Sequence, residues 1–302
     1  MPDDLAELLA TGERAAFHGR PANGVAALET AFAQAHREGR ATEATAAAWL
    51  LGVSLAAAGR FGSALTVLEP VAGQSAADTA ERRLFAALAC ATMASVRRQL
   101  GQHELARHDD QRGLALSDGV GEAGFDCVLG LAADAVGLLD IDTARQQLAT
   151  AERLVAERLD WWRQRVRLDW VRAEVALLDG DAVTALSAAA AAVQRAEASG
   201  APRHVAKGLL FLGVAQVQAG ELAEAETTLR RAATLAEGLG TIPLLWPSRA
   251  VLGALLEEKD PAASAKALSS ARGAVIAIAD DLPEDLRTVW LDRPDVAALL
   301  GG

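Results

Sequence analysis

The chain has 302 residues and a formal net charge of −11, with 4% aromatic residues and no tyrosine. That acidic balance argues against a protein that wraps nucleic acid, which needs a concentrated basic face to displace counterions, and leaves room only for a local basic patch. Its apolar residues are mostly alanine and leucine, strong helix formers, and the β-branched, aromatic-rich runs of strands are missing, so an all-α chain is expected.

No apolar run reaches the roughly 18 residues that a membrane span needs. The N-terminal MPDDLAELLATGE is acidic where a signal peptide is basic, so a cytoplasmic location is expected. Cys90 and Cys127 are too few for a disulfide framework. Both lie in apolar helical stretches and are expected as buried, reduced thiols.

In chain order, the first helices are expected over 3–17 and 22–37, joined by HGRPANG. The next pair, LLGVSLAAAGRFGSALTVLEP, places Leu51, Gly52, Leu55, Gly59, Phe61, Ala64, Leu68 and Pro70 in the order large, small, large, turn, aromatic, small, large, terminator. A third pair spans 79–100 and 104–116. Then SDGVGEAG, residues 117–124, reads as a flexible joint, because three glycines in six residues disfavour helix. The fourth pair covers 122–138 and 143–157, with Asp142 as N-cap. The fifth opens in LDWWRQRVRLDWVRAEVALLDGD, and its second helix holds the Ala188 to Ala192 run.

The sixth pair, over 203–239, is the clearest. Leu209, Leu212, Gly213, Gln216 and Ala219 recur at helical spacing, Gly220 stops the helix, and Leu222, Ala225, Leu229 and Ala232 are expected on one face of the next. In LGTIPLLWPSR, Pro243 and Pro247 are expected to break the chain before a seventh pair. Its second helix is capped by Asp260 and Pro261. Residues 282–302 would form a short C-terminal cap.

Turn residue and small residue recur as Gly19/Gly24, Gly59/Ala64, Gly101/Ala106, Leu139/Ala144, Gly180/Ala185, Gly220/Ala225 and Asp260/Ala265. The first members are spaced by 40, 42, 38, 41, 40 and 40 residues. A fixed period of that size marks a stacked array, because one pair cannot bury its apolar face alone. The pattern resembles the tetratricopeptide repeat (TPR), whose usual period is about 34. It implies one right-handed superhelical solenoid of about seven antiparallel helix pairs over 1–302, touching only between neighbouring pairs.

The segment from Pro283 to Leu300 sharpens the resemblance: proline, acid, Leu-Arg, an apolar triplet, then Arg-Pro-Asp-Val and a leucine pair. It is similar to the close of long-period TPR regions in bacterial signalling ATPases and transcription regulators of the maltose-regulator type. No G-x-x-x-x-G-K-[ST] phosphate loop occurs, and no basic recognition helix follows. The ATPase and DNA-binding functions do not carry over, and a sensor or scaffold is what remains.

Candidate chemistry is sparse. His103, His108, Asp109 and Asp110 form the only local group with metal-ligand types, and Glu104 and His108 share the i, i+4 spacing of helical ligands. Such pairs are common on solvated helices, so no metal is expected. His18, His36 and His204 stand alone near helix ends. No nucleophile elbow, triad order or paired carboxylate suggests an enzyme, and no cofactor is expected.

The informative cluster is Trp161, Trp162, Arg163, Arg165, Arg167, Trp170 and Arg172. Arg163, Arg167, Trp170 and Glu174 form one helical stripe, and Trp and Arg dominate many protein interfaces. Bulky tryptophans filling gaps beside alanines would explain the same residues by packing. In the resembled fold the first helix of each pair lines the concave wall. The repeat markers place Phe17, Trp49, Val53, Leu88, Arg98, Asp126, Leu129, Arg167, Trp170, Glu174, Lys207, Leu210 and Val214 there. The expectation is a non-enzymatic scaffold that binds a protein partner, as a peptide or helix, in that groove. Its candidate contacts are Trp49, Arg98, Asp126, Arg163, Arg167, Trp170, Glu174, Lys207, Leu210 and Val214. The alternative is a domain that senses a small-molecule effector.

Overall fold

The structure, a computed structural model, describes residues 4–73, 79–119 and 121–301. Sixteen α-helices, and no strand, occur among the described residues. The first pair is α1 (Asp4–His18) and α2 (Val25–Arg37), joined by a 3-10 turn at Pro21–Gly24. Then come α3 (Ala41–Ala57) with α4 (Phe61–Ala72), and α5 (Ala80–Gln99) with α6 (His103–Leu116). The middle pairs are α7 (Gly121–Gly137) with α8 (Ile141–Val155), and α9 (Trp162–Asp179) with α10 (Ala182–Ala198). The last are α11 (Pro202–Gln218) with α12 (Leu222–Leu239), and α13 (Ile242–Leu256) with α14 (Pro261–Asp281). Two short helices follow, α15 (Glu284–Leu291) and α16 (Pro294–Leu300).

The repeat chemistry is visible in the turns. Gly59, Gly101, Gly180 and Gly220 take φ of 84°, 81°, 76° and 78°, the left-handed region that glycine enters without penalty. Leu139 takes the same place in the fourth pair at φ 61°, without that advantage. Five residues on, Ala64, Ala106, Ala144, Ala185 and Ala225 are fully buried. Two turns before Gly220 in the sixth pair, a Cβ on Gly213 would lie 2.6 Å from Leu229 of the facing helix, so only glycine lets the leucine seat.

Several boundaries differ from expectation. In the seventh pair Ser264, not Ala265, is buried, donating to the Gly253 carbonyl at 2.7 Å, while Ala265 is exposed. Asp260 caps α14 by accepting from the Ala263 amide, the capping position Glu221 holds in pair six, so the two caps stand 39 rather than 40 residues apart. Asp140 rather than Asp142 caps α8, because its carboxylate reaches the Thr143 amide. Pro247 lies inside α13, where it forfeits one backbone bond without ending the helix. Leu222 is 52% exposed rather than facing the core. Of the expected joint at 117–124, residue 120 lies outside the described residues. Gly121 and Gly124 fall within α7, and a Cβ on Gly124 would meet the Gly119 backbone at 2.5 Å.

The first helices of successive pairs pack on one another, α1 on α3, α3 on α5, and so on to α11 on α13. Second helices pack on their neighbouring first helices and not, to any comparable extent, on each other. Small residues allow the close inner packing: the buried face of α5 carries Ala86, Ala87, Ala89, Cys90, Ala91 and Ala94. A layer tight inside and splayed outside must curve towards its first helices. The result is a solenoid wound so strongly that its ends meet.

Contact only between neighbouring pairs, expected from the repeat, therefore does not hold. Helix α1 touches α11, and α4 touches α14, so pair one meets pair six and pair two meets pair seven. Asp281 accepts from the Ser63 amide at 2.9 Å and its hydroxyl at 2.7 Å, and lies 3.4 Å from Arg60 Nε. The Thr241 hydroxyl donates to the Ala57 carbonyl at 2.7 Å. The Arg293 guanidinium, between α15 and α16, donates to the Gln99 carbonyl at the end of α5. One apolar cluster joins Leu55, Phe61 and Val96 to Trp246, Ile278 and Trp290 across this seam.

Candidate functional site

Closure converts the concave groove into a chamber of about 770 Å³. Its wall includes Trp49, Arg98, Asp126, Arg167, Trp170, Glu174, Lys207 and Leu210, which the repeat markers had gathered, and Arg163 of the tryptophan–arginine stripe. Val214 is not part of that wall. The opposite side comes from the end of the chain, with Trp246, Trp290 and Arg293. Arg293 lies over both rings, 5.4 Å and 5.3 Å from their centroids.

The charged residues are mostly engaged. Arg98 bonds both Asp110 and Asp134 at 2.7 Å, and both carboxylates are fully buried. Burial raises both acids, opposed by Arg98; burial pulls Arg98 down, but the two carboxylates outweigh it and its pKa rises. Asp126 holds Arg163 at 2.8 Å and Arg167 at 2.9 Å, and Arg163 also reaches Glu122 at 3.2 Å. Burial lowers Arg163 too, yet Asp126 and Glu122 bring its net shift upward. For Arg167 burial prevails over Asp126, and its pKa is lowered.

Trp170 is 5% exposed and belongs to the core. It stacks on His204 with centroids 5.2 Å apart, and the Lys207 ammonium covers its ring at 4.7 Å. The open anchor expected at this position is therefore already occupied, and Arg167 is paired with Asp126. His204 also meets Trp162 edge-on at 5.3 Å and Phe17 at 6.5 Å, which ties α1, α9 and α11 together. Burial first, then Arg203 and other cations, push His204 well below the usual histidine range, so the ring is neutral.

Glu174 and Lys207 face the chamber without an ion pair among the described residues. Burial raises Glu174 against the pull of Lys207. Burial pushes Lys207 down to about 8, opposed by Glu174. Arg203, beside His204, is pushed down to about 10 by burial and by Arg167 and Arg163.

The aspartates of the group with metal-ligand residue types are engaged in ion pairs. Asp109 bonds Arg97 at 2.7 Å and Arg112 at 3.2 Å, and Asp110 belongs to Arg98. Cys90 and Cys127 are buried free thiols, with Cys90 pushed up to about 11 by desolvation. No helix among the described residues is long and apolar enough to cross a membrane.

Sequence reasoning missed Arg203, His204 and the C-terminal contributors. Arg203 stands seventeen residues before Gly220, as Arg163 stands seventeen before Gly180, so extending the repeat register would have found it. Trp246, Trp290 and Arg293 carried no such signal, because only closure brings them inside.

No family model matches the chain, and no curated protein does. Solved structures do. A Rap protein complexed with Competence and Sporulation Factor superposes with a TM-score of 0.68 at 11% identity, covering 98% of this chain and 88% of that one. The fold is tetratricopeptide-like. The aspartyl phosphate phosphatase F of Bacillus subtilis aligns at 0.51 and 12% identity, over 100% of this chain and 83% of that one. The apo form of RapI aligns at 0.50 and 11% identity, over 99% and 85%. At these identities the likeness is one of fold alone.

Proposed function

We propose that the chain is a non-catalytic binding protein whose chamber receives a short peptide or the terminal segment of a partner protein. The observation that carries this reading is the chamber itself: about 770 Å³, walled by aromatic rings and by charges of both signs. Pockets for compact ligands span roughly 300–1,000 Å³, which favours a short extended segment over a long amphipathic helix, about 10 Å across. A Rap protein of the same fold, complexed with Competence and Sporulation Factor, supports a ligand-binding role for such a superhelix. The volume equally favours a second reading, an effector sensor of the maltose-regulator type that the C-terminal segment resembles.

Pooled pentapeptides mixed with the protein and passed rapidly through gel filtration should leave retained species readable by native mass spectrometry. A small molecule carried through purification instead would select the sensor. Filling the chamber by Ala133→Trp or Ser95→Trp, both wall positions, should abolish retention in a folded protein. Arg145→Ala, on the outer α8 where Arg145 pairs with Asp179, should not. Retention that survives the filled chamber would place binding elsewhere.

A further inference from the structure

We propose that the chamber contains an anion subsite, formed by Arg203 and Lys207 of α11 beside the Trp170–His204 stack, which takes a carboxylate of the ligand. The proposal rests on the chamber being a ligand site.

Among the arginines of the chamber wall, Arg203 is set apart. Arg98 has Asp110 and Asp134, Arg163 has Asp126 and Glu122, Arg167 has Asp126, and Arg293 has Asp295. Arg203 makes no hydrogen bond or ion pair among the described residues, and its Nε is shut off from solvent without a partner. Lys207, one turn along the same face, has only the rings of Trp170 and Phe211, at 4.7 Å and 5.5 Å. Two cations at i, i+4 without a direct ion pair are costly where burial holds them away from water. Their lowered pKa values, about 10 and about 8, follow from that burial and from the neighbouring arginines. A bound anion reverses both shifts.

Charge selects the kind of anion. Glu174 is the strongest charge acting on Lys207, so Arg203, Lys207 and Glu174 together leave one net positive charge. A singly charged carboxylate balances it and fits the planar fork of a guanidinium. A phosphate dianion would leave one negative charge uncompensated. The stacked rings, with Leu210 and Phe211 nearby on the same helix, add an apolar side. The ligand is thus a carboxylate on an apolar body, either a free organic acid or an acidic group within a peptide.

Calorimetric titration tests this with phenylpropionate, its amide, inorganic phosphate, and pooled pentapeptides with free or fully amidated carboxyls. Acids should bind wild type, with the amides and phosphate much weaker. Arg203→Gln should weaken acid binding about thirtyfold, leave the amides unchanged, and melt no lower than wild type, since it removes an unpaired charge. Binding at pH 8 should take up protons as the Lys207 pKa rises, seen as heat that varies with buffer, and Lys207→Gln should lose that uptake. Acidic peptides binding without phenylpropionate would support the subsite and assign its carboxylate to a peptide. Acids and amides binding equally, in a manner abolished by Ala133→Trp, would overturn the subsite and keep the chamber reading. Phosphate binding more tightly than the acids would overturn the carboxylate assignment, and no binding by any probe would overturn both readings.

Discussion

At Trp170 the competition between packing and recognition resolves towards packing. The ring is 5% exposed, held between His204 and Lys207. Trp170→Ala should therefore cost about 3–5 kcal/mol, read as a lower denaturation midpoint, with weakened ligand binding following from lost structure. His204 beside it carries a pH dependence. Its folded pKa lies well below the unfolded 6.5, set by burial and by Arg203, Lys207, Arg163 and Arg167. As pH falls through that range the unfolded chain takes a proton that the folded ring refuses, so stability falls. Between pH 7 and 5, His204→Phe should lose less melting temperature than wild type, because phenylalanine keeps the stack without the proton. His103, also lowered, acts in the same direction in both proteins; Asp110 and Asp134, raised, act oppositely in both.

At the scale of elements, the repeat register carried far. The left-handed turn glycines and the buried alanines after them stand where the spacing put them, and nine of the ten candidate residues line one chamber. These positions were legible because each is fixed by contacts within a pair or between adjacent pairs. Closure was not legible, since the angle between neighbouring pairs leaves no mark in one repeat and matters only when summed over five. Its most demanding contact is at Gly62, where an added Cβ would sit 2.2 Å from the Asp281 carbonyl oxygen and 3.1 Å from Pro283. Gly62→Ala is otherwise favourable within a helix, yet it should prise α4 from the end of α14. Small-angle scattering should show a larger radius of gyration, and the melting temperature should fall. An unchanged radius with higher stability would mean the seam yields without opening.

For the molecule as a whole, closure alters how the array holds together. In an open array each repeat answers only to its neighbours, and the terminal pairs fray first. Here α1 leans on α11, and His18 Nδ1 lies 3.2 Å from the Gly200 carbonyl oxygen. Hydrogen exchange should show amides of α1 and α3 protected as well as those of α7, whereas Gly62→Ala should speed exchange at both ends and spare the middle.

The seam also bears on the order of events during synthesis. Its bonds join Ala57 to Thr241, Ser63 to Asp281 and Gln99 to Arg293, partners 184, 218 and 194 residues apart. The early pairs can stack while the chain is still emerging, but they have nothing to close against until α13 to α16 leave the ribosome. The carboxyl-terminal helices thus act as a keystone. Until those helices have emerged, a growing chain presents an open inner face, and the chamber comes into being only once they dock.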